Sequence, residues 1–130
     1  MESVILAAPF AYELELKTRL EQIGPVSIGA GGVFVVEDGK SRVYVGRNDA
    51  ANDEFEPERL ELIMAKIAQP VFYSVDFSDI ALCRKVLAAI ADDPKLLVDN
   101  DHGVLLSGPE FVRVLRSQHD WDWRTDTPGL

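Results

Sequence analysis

Val33-Phe34-Val35-Val36-Glu37-Asp38-Gly39-Lys40-Ser41-Arg42-Val43-Tyr44-Val45 sets two β-branched and aromatic runs on either side of Asp38-Gly39. Branched and aromatic side chains suit a pleated, half-buried surface, and glycine supplies the positive φ that a tight hairpin turn requires. The stretch therefore predicts a β-hairpin and, with it, an antiparallel sheet.

Upstream, residues 4–8 read as a short apolar strand, and Tyr12, Leu16, Leu20 and Ile23 then recur at helical spacing. Glu13 with Lys17 and Glu15 with Arg19 form i,i+4 pairs on the polar side of that helix, and Gly24-Pro25 ends it. Gly29-Ala30-Gly31-Gly32 leads into a strand instead of a helix, so it reads as a sharp bend or bulge and offers no helix N-terminus for a phosphate. Downstream, residues 46–56 are polar and turn-prone, the composition of a mobile surface loop. Pro57 opens a helix carrying Leu60, Ile63, Met64 and Ile67.

Pro70 restarts the pattern. Val71-Phe72-Tyr73-Ser74-Val75 reads as a strand, and Ser78 is placed to cap a helix running to Ala91 through Ile80, Cys83, Val86, Leu87 and Ile90. A second hairpin spans residues 95–106, and Ser107-Gly108-Pro109-Glu110 starts a last helix with Phe111, Val112 and Leu115. Residues 1–69 and 70–117 thus each run strand, helix, hairpin, helix, without convincing identity between them, and 118–130 form a tryptophan-containing tail. The expected fold is one α+β domain of two such units, helices packed on a mainly antiparallel sheet.

The chain has 130 residues, 47% of them hydrophobic, with a formal charge of -9 distributed as -5 over residues 1–70 and -4 over 71–130. That length suits a single core. No apolar run approaches the ~20 residues of a membrane span, and the N-terminal run lacks the flanking bases and length of a signal peptide, so a soluble, cytoplasmic protein is expected. An acidic surface repels phosphate backbones, which argues against nucleic acid and leaves a basic protein as the partner electrostatics favours. Self-association through an exposed hairpin edge stays open as an alternative. Lone Cys83 has no second cysteine to bond and falls on an apolar stripe.

Three groups of residues bear on function. Asp99, Asp101 and His102 crowd the second hairpin tip and have the donor chemistry of a metal site, with His119, Asp120 and Asp122 as further ligands if the tail returned there. Turn chemistry accounts for Asp99-Asn100-Asp101-His102-Gly103 equally well, and a calcium loop is excluded because Val104 stands where its sharp turn needs glycine. Asp76 and Asp79 flank a strand-to-helix junction where paired carboxylates could share acid and base work, although Asp79 also suits a helix cap. Ser27 lacks a nucleophile-elbow context, and there is no Walker sequence.

The third group is Asp53, Glu54, Phe55, Glu56 and Glu58, the densest acidic stretch with an aromatic embedded in it, the ingredients of a protein-binding edge. Trp121 and Trp123 alternate in the tail, which puts both indoles on one face, pinned to this domain or to another protein. The leading expectation is a small acidic protein-binding domain, an inhibitor or immunity-type partner of a basic protein, with no catalytic residue and no cofactor assigned. The alternatives are a metal-dependent enzyme built on the Asp99, Asp101 and His102 turn and a small-molecule sensor.

Overall fold

In a computed structural model that describes residues 2–100, 104–118 and 122–123, the chain runs β1 (Glu2–Ala8), α1 (Glu13–Glu21), β2 (Val26–Ile28), a 3-10 turn (Ala30–Gly32), β3 (Phe34–Asp38), β4 (Ser41–Arg47), α2 (Ala51–Glu54), α3 (Pro57–Lys66), β5 (Val71–Phe77), α4 (Ile80–Ile90), β6 (Leu97–Asp99), β7 (Leu105–Ser107) and α5 (Gly108–Ser117). The strands form one sheet in the order β2-β3-β4-β5-β1-β6-β7, with every neighbouring pair antiparallel. This is an α+β domain. No helix among the described residues is long and apolar enough to cross a membrane.

The Asp38-Gly39 hairpin closes between Asp38 and Ser41, with Gly39 at φ 62° and Lys40 on the ordinary side of φ, as a two-residue turn with glycine first requires. Its strand β4 borders β5, the leading strand of residues 70–117, whereas β6 borders β1, the leading strand of residues 1–69. Each half's hairpin is therefore completed by the other half's strand, across the seven-residue β1·β5 pairing at the centre. The neighbour order differs between halves, because β4 is the second strand of its hairpin and β6 the first.

Period-2 alternation divides the sheet into two faces. Val4, Leu6, Val43, Val45, Tyr73, Val75, Phe77 and Val98 lie in the larger core, under Leu16 and Leu20 of α1, Cys83, Val86, Leu87 and Ile90 of α4, and Phe111, Val112 and Leu115 of α5. Ala7, Phe72 and Leu97 face the other way and are covered by Ala51 of α2 with Ile63 and Ile67 around α3. Only part of this second face is covered, since Tyr44, Ser74 and Asp76 stay half-exposed.

Two local expectations are corrected. The helix after β5 is capped by Asp79, whose carboxylate accepts from the Ala81 N–H at 2.8 Å, and not by Ser78; α4 begins one residue later than a serine cap would place it. Residues 46–56, expected as an open surface loop, carry the end of β4 and the one-turn helix α2 and are hydrogen-bonded into the domain. The Asn48 N–H donates to the Phe72 carbonyl, its side-chain amide donates to Ser74 Oγ at 2.8 Å, and its Oδ1 accepts from the Ala51 N–H at the start of the one-turn helix α2.

A buried polar junction ties α1 to the connection between α4 and β6. Asp93, 3% exposed, accepts from the Tyr12 hydroxyl and from Arg19, each at 3.1 Å, and from the Lys95 backbone N–H at 2.9 Å. Burial pushes its carboxyl upward, but those donors and the nearby Lys95 and Arg19 charges outweigh burial and hold it below the usual carboxylate value. Tyr12 moves the other way, its hydroxyl pushed up chiefly by burial. At the same junction a Cβ on Gly108 would lie 2.0 Å from the Ala91 carbonyl oxygen, so only glycine lets α5 start against the end of α4.

Candidate interaction surface

Helices α2 and α3 form a ridge across the second face of the sheet, and the folding of that ridge determines what its residues can do. Pro57 starts α3 with Glu56 as N-cap, and Leu60, Ile63 and Ile67 turn toward the sheet. Met64, read from the sequence as part of this apolar stripe, is instead 48% exposed, and Leu62 is 62% exposed. Phe55 is half-buried with its ring 5.3 Å from that of Phe72, so it anchors the ridge to its own sheet and is not a free anchor for a partner.

Asp53, Glu54, Glu56, Glu58 and Glu61 all stand exposed along this ridge. None of the five pairs with a cation among the described residues. Elsewhere Glu15 and Asp93 pair with Arg19 and Lys95, Glu37 with Arg42, Asp38 with Lys85, Asp49 with Arg47, and Asp92 with Arg116, while Glu13, Glu21 and Glu110 have no cation partner among the described residues. The ridge's own arginine, Arg59, points inward and bonds Asp99 at 3.0 Å. Five unpaired acids within nine residues thus stand on a helix pair whose inner side is fixed by packing, with Lys66 at the end of α3 and with Leu62 and Met64 as the apolar surface beside them.

The second hairpin tip is arranged differently from the metal reading. Asp99 is buried at 5% exposure on the α3 side, and its carboxylate is held by the Arg59 guanidinium, so a metal there would have to displace a cation already seated. Asp101 and His102 lie outside the described residues, as do His119 and Asp120. Among the described residues no group of three His, Cys, Asp or Glu is placed to hold a metal ion. The adjoining Asn100 is 1% exposed: its Oδ1 accepts from the Val104 N–H at 2.9 Å, closing the loop, while its amide donates to the Trp123 carbonyl.

Trp123 itself is fully buried, with ring centroids 5.7 Å from Phe77 and 6.0 Å from Phe111 and the Arg84 guanidinium 5.8 Å from its centroid. Its assignment as a partner-binding residue is corrected, because an indole enclosed by its own core has no surface to offer. Trp121 lies outside the described residues.

The Asp76 and Asp79 carboxylates serve separate hydrogen bonds, Asp76 accepting from Ser3 and Asp79 from Ser41, each at 2.5 Å. Asp79 is held below its usual value first by the Ser41 hydroxyl and then by the Ala81 N–H. Cys83 is enclosed in the main core, and burial pushes its thiol up, away from the thiolate that nucleophilic chemistry needs. Leu62 escaped the sequence reading although it falls off the Leu60, Ile63, Ile67 stripe, which was the available signal; Arg59 gave none, since its partner lies 40 residues away. Comparison with protein-family models, with curated protein sequences and with solved structures returns no match.

Proposed function

We propose that this chain is a protein-binding domain that presents the α2–α3 ridge to a basic partner. The observation that carries the reading is the concentration there of Asp53, Glu54, Glu56, Glu58 and Glu61, none of them paired with a cation among the described residues, against the single exposed base Lys66 at the far end of α3. Such a surface raises the encounter rate with a positive patch and leaves specificity to the apolar contacts within it, for which Leu62 and Met64 are the exposed residues. An inhibitor or immunity-type protein acting on a basic enzyme is the narrower form of the proposal. The proposed compartment is the cytoplasm, supported by a single cysteine kept in the core.

The test is capture from the native cell extract by three immobilised forms: the unaltered chain, Glu58→Lys/Glu61→Lys on the ridge, and Glu13→Lys/Glu21→Lys on α1. A basic protein held by the first and third forms and lost by the second supports the proposal. Equal loss from both variants reduces the effect to bulk charge, and equal retention by all three removes the ridge as the binding surface.

A further inference from the structure

A cavity of about 170 Å³ opens where α2 meets the second face of the sheet, walled by Ser3 and Ile5 of β1, Ser74 of β5, Asn48, Glu54 and Phe55. It is below the ~300–1,000 Å³ of a typical small-molecule site, the size for one chemical group on a short stem. We propose that it seats the ammonium group of a lysine side chain from the basic partner; this inference rests on the ridge reading and names what the partner inserts beside it.

The lining selects for an ammonium. Ser3 spends its one hydroxyl proton on Asp76, leaving Oγ only as an acceptor toward a ligand. Asn48 donates one N–H to Ser74 Oγ and accepts from the Ala51 N–H, so it is a fixed wall that orients Ser74, whose hydroxyl keeps one proton and one lone pair for other partners. Glu54 adds a carboxylate without an internal partner among the described residues, and no Lys or Arg lines the cavity. The Glu54 carboxylate and the Ser3 and Ser74 oxygens together suit donors carrying positive charge, and an ammonium has three donors and no acceptor. Phe55, held against Phe72 at 5.3 Å, and Ile5 give the stem's methylenes an apolar wall. Lysine is favoured over arginine because its compact charge on a flexible stem needs no planar, two-pronged acceptor. Glu54 belongs both to the cavity and to the exposed acids of the ridge, so a partner lying along α2 and α3 has this opening in reach.

The full chain is titrated with n-butylammonium chloride, the lysine side chain without its backbone, at constant ionic strength, and amide signals are followed by two-dimensional NMR. Tetramethylammonium and 1-butanol serve as a cation without donors and a stem without charge. The expected result is a saturable shift at Ser3, Ser74, Ala51 and the Asn48 side chain with butylammonium alone, weakened about three- to fivefold by Glu54→Gln, the range for a partly exposed ion pair. Glu58→Lys/Glu61→Lys leaves the shift at these residues in place. No saturable shift, or the same shift with tetramethylammonium, overturns the proposal. A silent titration with successful capture refutes the lysine seat alone, and a positive titration with failed capture refutes the ridge alone.

Discussion

Replacing Trp123 by alanine tests whether the tail residue is part of the fold. The indole is 0% exposed and meets Phe77, Phe111 and Arg84 on three sides. Truncating a buried Trp or Phe to Ala costs ~3–5 kcal/mol when the surroundings collapse only partly. Two aromatic pairs and an arginine near the ring favour the upper half of that range, about 4 kcal/mol. For a domain of this length, between the size classes for which 1 kcal/mol moves Tm by ~4–8 °C and ~2–4 °C, the loss corresponds to roughly 12–20 °C. Thermal unfolding followed by far-UV circular dichroism measures it, with urea unfolding for the free energy itself. In a Trp121→Phe background the remaining indole should emit in the blue and resist acrylamide quenching until the domain unfolds. A Tm within about 2 °C of the parent would refute the reasoning, because a tail contact that can be deleted without loss is not a core contact.

Gly108→Ala should lose about 3 kcal/mol, the upper end for overpacking, because its Cβ would sit 2.0 Å from the Ala91 carbonyl oxygen, whereas Gly24→Ala, with nothing within 4 Å, should change stability little; urea midpoints of the pair decide this. Asp93→Asn should cost about 1–3 kcal/mol near neutral pH by weakening the Tyr12, Arg19 and Lys95 contacts. Asp93 has a folded-state value below its unfolded one, so its contribution is complete above about pH 4 and disappears as pH falls through the folded value; urea curves across acidic pH should therefore show the parent converging on the variant. Arg59→Ala should destabilise by about 2–4 kcal/mol by taking the guanidinium from buried Asp99, and Arg59→Met/Asp99→Leu should recover much of that in the same assay.

The fold is readable from this sequence wherever a local rule and the tertiary arrangement agree. Asp38-Gly39 between branched strands makes a hairpin in any context, Ser107 with Glu110 caps α5 through contacts three residues apart, and Tyr12, Leu16 and Leu20 mark the buried face of α1. The ridge acids were legible for the same reason: a short acidic stretch before a proline-started helix has few places to go except solvent. What escaped depends on distant partners. Arg59 reaches Asp99, Asn100 reaches Trp123, and Ser3 reaches Asp76, separations of 40, 23 and 73 residues that no local pattern encodes. Asp99 looked available because a turn aspartate usually faces water, and it is buried because α3 crosses the sheet above it. Phe55 looked like an exposed anchor because its neighbours are acidic, yet Phe72 takes its ring.

The most direct test of the ridge as a binding surface is the association rate with the captured basic partner, measured at low and high salt for the parent, Glu58→Lys/Glu61→Lys and Glu13→Lys/Glu21→Lys. Reversal on the ridge should slow association about tenfold or more at low salt, a gap that closes as salt screens the field, while reversal on α1 should have a much smaller effect. Equal rate constants for the two variants would contradict the account.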